Sequence, residues 1–203
     1  MARPLTPRDR TTRRLVLHPF RRRDAEPLVT AVHDSIDDLA RWLPWAHQGY
    51  GRSDAIRFIR DSTAAWTEGR AYDFAIEPPT RPKSHLGNVS VWHTSRREQA
   101  GEIGYWIRST LTGTGIGTEA AARVMQVAFE ELELHRVTLR IATGNTASER
   151  IAEKLGFVRE GLLRKEVLVA GHWLDHSLWA ILDEEFRANC SRYAAEGWIG
   201  DRR

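Results

Sequence analysis

Gly113-Thr114-Gly115-Ile116-Gly117-Thr118 decides the reading of this chain, because a strand-like run precedes it and a helical pattern follows it. Upstream, Glu102-Ile103-Gly104-Tyr105-Trp106-Ile107 is short and rich in strand-favouring residues, while downstream Ala120, Val124, Val127, Ala128 and Leu132 recur at helical spacing. The glycines therefore fall at a strand-to-helix turn. A helix start presents unpaired N–H groups and a partial positive charge, and residues without a Cβ let an anion approach the backbone. The turn predicts a seat for a phosphate or diphosphate; a tight turn whose glycines serve only helix–strand packing is the alternative.

Two phosphate folds are disfavoured by the residues around the turn. No lysine follows the glycines, as a nucleoside-triphosphate loop requires. The dinucleotide fingerprint fails on spacing, and the run from Arg136 to Ile141 leads into Ala142-Thr143-Gly144-Asn145 with no ribose-binding acid.

A second unit lies downstream: Leu134-His135-Arg136-Val137-Thr138-Leu139, then Asn145-Thr146-Ala147-Ser148, then Glu153-Lys154-Leu155-Gly156-Phe157-Val158-Arg159-Glu160-Gly161. With the glycine turn, these segments resemble the GNAT superfamily of acyl-CoA-dependent N-acyltransferases, in particular its Rim-type branch of ribosomal-protein N-terminal acetyltransferases. The resemblance is most specific from Gly101 to Gly161 and extends more weakly from Leu15 to Leu182. It implies one α/β (α+β) domain over residues 13–183, with a mixed, mostly antiparallel, splayed sheet of about seven strands flanked by helices. It also implies acetyl-CoA as cosubstrate, a primary amine as acceptor and a homodimer. Thr112, Gly113, Thr114, Gly115, Ile116, Gly117 and Thr118 match the turn that holds the CoA diphosphate, with Ile107 and Arg108 leading into it. Thr112 stands where that pattern usually carries Arg or Gln, which weakens phosphate binding while leaving the backbone seat.

Composition agrees with one compact enzyme domain: 203 residues with 41% hydrophobic content can bury a core. Net charge is +3, yet eight arginines fall in the first 23 residues, so residues 1–12 are expected to form a basic, flexible tail. Arginine predominates over lysine throughout, which argues for compositional bias and against a nucleic-acid surface. The single Cys190 excludes an intramolecular disulfide and a cysteine metal cluster and fits a reducing cytoplasm. No apolar run suits a membrane span or an export signal.

Along the chain, Leu15-Val16-Leu17 reads as a strand and Asp24-Ala25-Glu26-Pro27 as a helix start. Residues 36–50 read as a short helix and an aromatic loop, and Ser53 as the cap of a helix that Gly69 ends. Tyr72 to Ile76 and Leu86 to Trp92 form a predicted hairpin across the Pro78-Pro79-Thr80-Arg81-Pro82 loop. Phe157 to Val169 and His172 to Leu182 read as the last two strands, and residues 184–203 as a partly helical, peripheral tail.

Attack of an amine on a thioester needs a proton acceptor, an oxyanion donor and a proton donor for the thiolate, and no covalent nucleophile. Glu102, at the start of the strand leading to the turn, is the first candidate base; Glu166 is the second, its face uncertain by one register step. Asn145 and Ser148 are one helical turn apart; the resemblance puts Asn145 on the cofactor and Ser148 at the departing sulfur, whereas either residue alone suits a helix cap. Phe157 occupies the region where many relatives carry a catalytic tyrosine and cannot donate a proton. The backbone near Ile107 is the candidate oxyanion donor. Trp42, Trp45, Tyr50 and Asp175 are the candidate acceptor-site residues, Asp175 alternatively pinning the last hairpin with His176. His172 and His176 have a metal-like spacing but lie on a strand without further ligands, so no metal is expected. Two other readings stand beside a protein N-terminus as acceptor: a small amine such as an antibiotic or polyamine, and a CoA-binding regulatory protein without turnover.

Overall fold

The computed structural model describes residues 4–80 and 84–200. Residues 81–83 of the proline-rich loop and the extreme ends of both expected tails lie outside that range. Among the described residues one eight-stranded sheet organises the fold, in the order β1-β2-β3-β4-β5-β6-β8-β7. Its strands are β1 (Arg10–Thr11), β2 (Val16–Pro19), β3 (Ala71–Glu77), β4 (Gly87–Ser95), β5 (Ala100–Ile107), β6 (Arg136–Ala142), β7 (Val158–Val169) and β8 (His172–Leu182). Every pairing is antiparallel except β5 with β6. That parallel pair is joined through helix α4 (Ile116–Gln126), which runs on through a π turn at Val127–Glu131.

Alternation along the strands sorts two faces. Phe74, Val89, Val91, Ile103, Val137, Leu139 and Ile141 point to one side and are buried against the apolar stripe of α4, including Ala120, Val124 and Met125. Helices α5 (Thr146–Lys154) and α6 (Asp183–Ala195) complete that layer through Ala152, Phe186 and Tyr193. The opposite face carries α1 (Ala25–His33), the single turn α2 (Ile36–Leu39) and α3 (Arg52–Thr67), packed around Leu28, Ile59, Ala75 and Trp106.

Three expectations are corrected. The start of the chain is not a loose tail within its described residues: Leu5 joins the core, and Arg10 is 1% exposed. Its guanidinium is paired with Glu131 and lies over the Trp66 and Phe74 rings, which satisfies the charge and removes it from water. This arm adds β1, hence eight strands in place of about seven. Nor is the C-terminal segment peripheral, since Phe186, Cys190 and Tyr193 belong to the main core and the Tyr193 hydroxyl donates to the Leu155 carbonyl. Finally, Ser53 lies inside α3: Gly51 takes the cap position, and the Asp54 carboxylate accepts the Gly51 N–H.

Candidate active site

The parallel pairing of β5 and β6 covers only Ala100↔Arg136, Gly101↔Val137 and Glu102↔Thr138. Beyond Glu102, residues 103–107 of β5 and 139–142 of β6 have no partner in each other, so the sheet is split along its middle. The far end of β5 leads, through a short turn at Ser109–Leu111, into the glycine segment. There Gly113 and Gly115 adopt φ of +82° and +84°, and Gly115 occupies the cap position of α4. The first helical bond runs from the Glu119 N–H to the Gly115 carbonyl, and no side chain caps the helix. The preceding N–H groups remain available to an anion beside the split. Gly117 lets α5 approach closely: a Cβ there would lie 2.8 Å from the terminal methyl of Ile151, which would have to shift.

A cation missed in the sequence stands at this turn. Arg14 donates to the Thr114 carbonyl and, through Nε, to Glu119, which is 1% exposed and also accepts from the Arg14 N–H and the Thr12 hydroxyl. Arg108, expected among the cofactor contacts, is paired with Asp34. The N–H of the next residue, Ser109, donates to Ser35.

On the face toward α1 and α3, Glu102 is 7% exposed, and both its carboxylate oxygens accept from Arg140 Nε, at 2.9 and 3.0 Å. Arg140 also donates through Nη1 to Glu166 Oε1 at 2.7 Å. The two candidate bases of the sequence thus meet on one guanidinium that sequence reading did not single out. Burial pushes the Glu102 carboxyl above the usual carboxylate range against the opposing pull of Arg140. A bulge answers the register question for Glu166: Leu163 faces His176 and Val167 faces Leu174, so three β7 residues stand against one of β8, with Lys165 at φ +49°. Glu166 Oε2 is buried without a hydrogen-bond partner among the described residues, 3.8 Å from the equally unpartnered His176 Nδ1.

Across the split, Asn145 caps α5 by accepting the Ser148 N–H at 3.2 Å. The Ser148 hydroxyl lies 2.9 Å from the hydroxyl of Tyr105 on β5. Burial raises the Tyr105 hydroxyl to about 12, so it stays protonated. Tyr105 escaped the sequence reading because nothing local distinguishes it from a strand-forming aromatic; Phe157, by contrast, is buried in the core.

The acceptor candidates divide. Trp45 and Tyr50 line a cavity of about 580 Å³ over β4 and β5, whereas Trp42 and Asp175 do not. Trp42 packs near Gly144. Asp175 accepts the Lys165 N–H at 2.7 Å and its carbonyl accepts the Thr143 N–H, which ties the bulged hairpin to the segment before α5. His172 is exposed and stands opposite Val169, whereas His176 is buried and stands opposite Leu163. A different group, His18, Asp24 and Glu77, brings its ligand-type atoms within 4.8 Å of one another. It joins β2, β3 and the turn before α1, with His18 Nε2 3.4 Å from Glu77 and Nδ1 3.8 Å from Asp24.

With this geometry, the chain is similar to known proteins over most of its length. Residues 14–158 match the family model described as an acetyltransferase (GNAT) domain. The [ribosomal protein uS5]-alanine N-acetyltransferase of Escherichia coli (strain K12) is 26% identical over 176 residues, 84% of this chain and 89% of that protein. The Bacillus subtilis (strain 168) protein named "Probable N-acetyltransferase YjcK" is 41% identical over 101 residues, 49% of this chain and 56% of that one. Among solved structures, Mycobacterium smegmatis RimJ in complex with CoA-disulfide superposes with a TM-score of 0.86 at 28% identity, covering 97% of this chain and 98% of that one. Among the described residues, no helix is long and apolar enough to cross a membrane.

Proposed function

We propose that this chain, which belongs to the GNAT acetyltransferase family, transfers the acetyl group of acetyl-CoA to the α-amine at the N-terminus of a protein, with a ribosomal protein as first candidate acceptor. The observation that carries the reading is the split between β5 and β6 opening beside the uncapped start of α4. A narrow pantetheine-like arm fits a split of this kind, and the free N–H groups of residues 115–118 suit a diphosphate. In this assignment Thr112 to Thr118 hold the diphosphate, Ile107, Arg108 and Asn145 flank the arm, and Arg14, its charge matched by Glu119, sets guanidinium N–H groups at the rim. Likeness to the E. coli protein, whose name specifies an alanine of a ribosomal protein, supports the acceptor class.

The chemistry rests on two proton transfers. The attacking amine loses a proton, and Glu166 Oε2 is the carboxylate oxygen left free to take it, directly or through one water. Two carboxylates on one guanidinium leave a negative charge that favours an ammonium nearby and holds both acids in place. Glu102 is then the buried partner of the base. The departing thiolate gains a proton from the Ser148 hydroxyl, which the protonated Tyr105 orients. The unpaired β5 backbone near Ile107 supplies N–H donors to the carbonyl under attack.

The test is to incubate the protein with acetyl-CoA and a panel of N-terminal peptides, spermidine and an aminoglycoside, and to map the products by mass spectrometry. Acetylation of a peptide α-amine is expected. Modification of small amines alone would move the acceptor to that class, and acetyl-CoA binding without any transfer would favour a regulatory binder. Gly115→Val, forced to φ +84°, should abolish acetyl-CoA binding in a folded variant; unchanged affinity would refute the assigned seat.

A further inference from the structure

The cavity beside the split is built for apolar contact. Trp45, Tyr50, Phe58, Trp92 and Trp106 wall it, and Gly104 forms part of its floor. A Cβ on Gly104 would lie 3.2 Å from the Trp92 ring, so the missing side chain keeps that floor open. The rings form a connected wall, with Trp45 5.8 Å from Tyr50 and 6.1 Å from Trp106 between centroids. Residues 104–106 belong to the part of β5 that has lost β6, so the cavity meets the split along its own floor. Trp45 is 39% exposed, a large apolar ring with an open face in a loop anchored by the buried Ala46 and Tyr50.

Several polar groups around the cavity already have partners. Asn88 Oδ1 is taken by His85 Nε2 at 2.7 Å, and the Ser90 hydroxyl donates to Asp73 at 2.6 Å. At the rim, Asp54 accepts the Gly51 N–H and pairs with Arg57, and Asp61 pairs with Arg60. A polycationic acceptor entering the cavity would lose hydration along an apolar wall, where the two lining carboxylates, Asp54 and Asp61, sit beside arginines, which costs binding. An apolar side chain has no polar group to desolvate and gains the aromatic wall.

From this we propose that the cavity selects acceptors whose primary amine sits next to an apolar, ring-sized side chain, which on a protein means an aromatic or large aliphatic first residue. The proposal rests on the acyltransferase reading and adds the property that distinguishes one acceptor from another. Each methylene buried in such a wall contributes roughly fourfold, so a whole ring is expected to contribute at least about tenfold.

The experiment measures kcat/KM with acetyl-CoA for tripeptide amides that differ only in the first residue, Gly, Ala, Leu or Phe, together with 2-phenylethylamine and spermidine. The expected order rises with apolar area, Phe at least about tenfold above Gly, and spermidine below Gly. A better rate for 2-phenylethylamine than for the Phe peptide keeps the selectivity and identifies free arylalkylamines as its source. Equal rates across the peptides, a preference for Gly, or spermidine as best acceptor would overturn it. Trp45→Ala should lower the Phe rate more than the Gly rate, reducing their ratio at least about threefold; an equal loss on both counts against the wall. Calorimetric titration of the same peptides into the CoA-loaded protein separates the two levels. Side-chain-dependent binding without transfer would refute only the acyltransferase reading, and side-chain-independent binding would refute the selectivity.

Discussion

Leu139 and Arg140 are neighbours on β6 and belong to different worlds. Leu139 is 3% exposed and faces α4, among Ile103, Val137 and Ile141. Arg140 faces the other way and holds Glu102 and Glu166. The same division runs across the sheet: one face of β4 and β5 presents Val89, Val91 and Ile103, and the other Asn88, Ser90, Trp92, Glu102 and Trp106. The larger apolar core lies on the first face, and the Glu102–Arg140–Glu166 group and the cavity lie on the second. Mutations one residue apart should therefore separate the two.

Glu166→Gln has the largest expected effect. It should lower kcat by about 10²–10⁴-fold, the range for a lost general base, while changing thermal stability little. The variant keeps an acceptor for Arg140 and its place in the bulge. Retained kcat would remove Glu166 as base and transfer the role to Glu102, whose carboxyl burial already raises. Leu139→Ala should do the reverse, costing about 2–5 kcal/mol in urea unfolding with kcat per folded molecule maintained at low temperature. A stable but slow Leu139→Ala protein would mean that the faces are mechanically coupled.

The next prediction concerns acid. His85, on the functional face between Phe20 and Trp106, is pushed down to about 4 by burial. Above the unfolded value of about 6.5 both states are neutral and the group contributes nothing to the pH slope. As pH falls from about 6.5 toward 4, the unfolded chain takes up a proton that the folded one resists. Stability is then lost, by about 3 kcal/mol at the bottom of the window. His85→Gln should flatten the fall of Tm across that window relative to the wild type; parallel curves would show that His85 does not titrate this way.

Legibility in the sequence divides along the same line. The glycine turn, α4 and the strands around them were legible because tight turns and periodic burial are local properties, and the pattern from Ile103 to Leu132 contains both. Glu102, Glu166, Asn145 and Ser148 were singled out, yet their wiring was not. Arg140 pairs with residues 38 and 26 positions away, and no periodicity announces that. The bulge at residues 164–166 turns Glu166 toward Arg140, a displacement alternation alone cannot foresee. The arginine-rich start misled for a related reason: charge suggests solvent, but Arg10 had a distant carboxylate, Glu131, and two rings waiting.

Tyr105 joins the two regions and gives the smallest and most diagnostic effect. Its ring packs against the buried layer of the α4 face, while its hydroxyl crosses from β5 to Ser148 on α5, past the edge where β6 has withdrawn. Tyr105→Phe keeps the ring and removes the hydroxyl's contacts to Ser148, 2.9 Å to its hydroxyl and a longer 3.4 Å to its carbonyl, so stability should fall by only about 1 kcal/mol. If the bond serves packing alone, kcat matches the wild type. If it aims the Ser148 proton at the departing sulfur, kcat falls about tenfold with KM for acetyl-CoA nearly unchanged, and Ser148→Ala combined with Tyr105→Phe is no slower than Ser148→Ala alone. Additive losses in that double variant would separate the two hydroxyls and leave Tyr105 as a strut of the packed face.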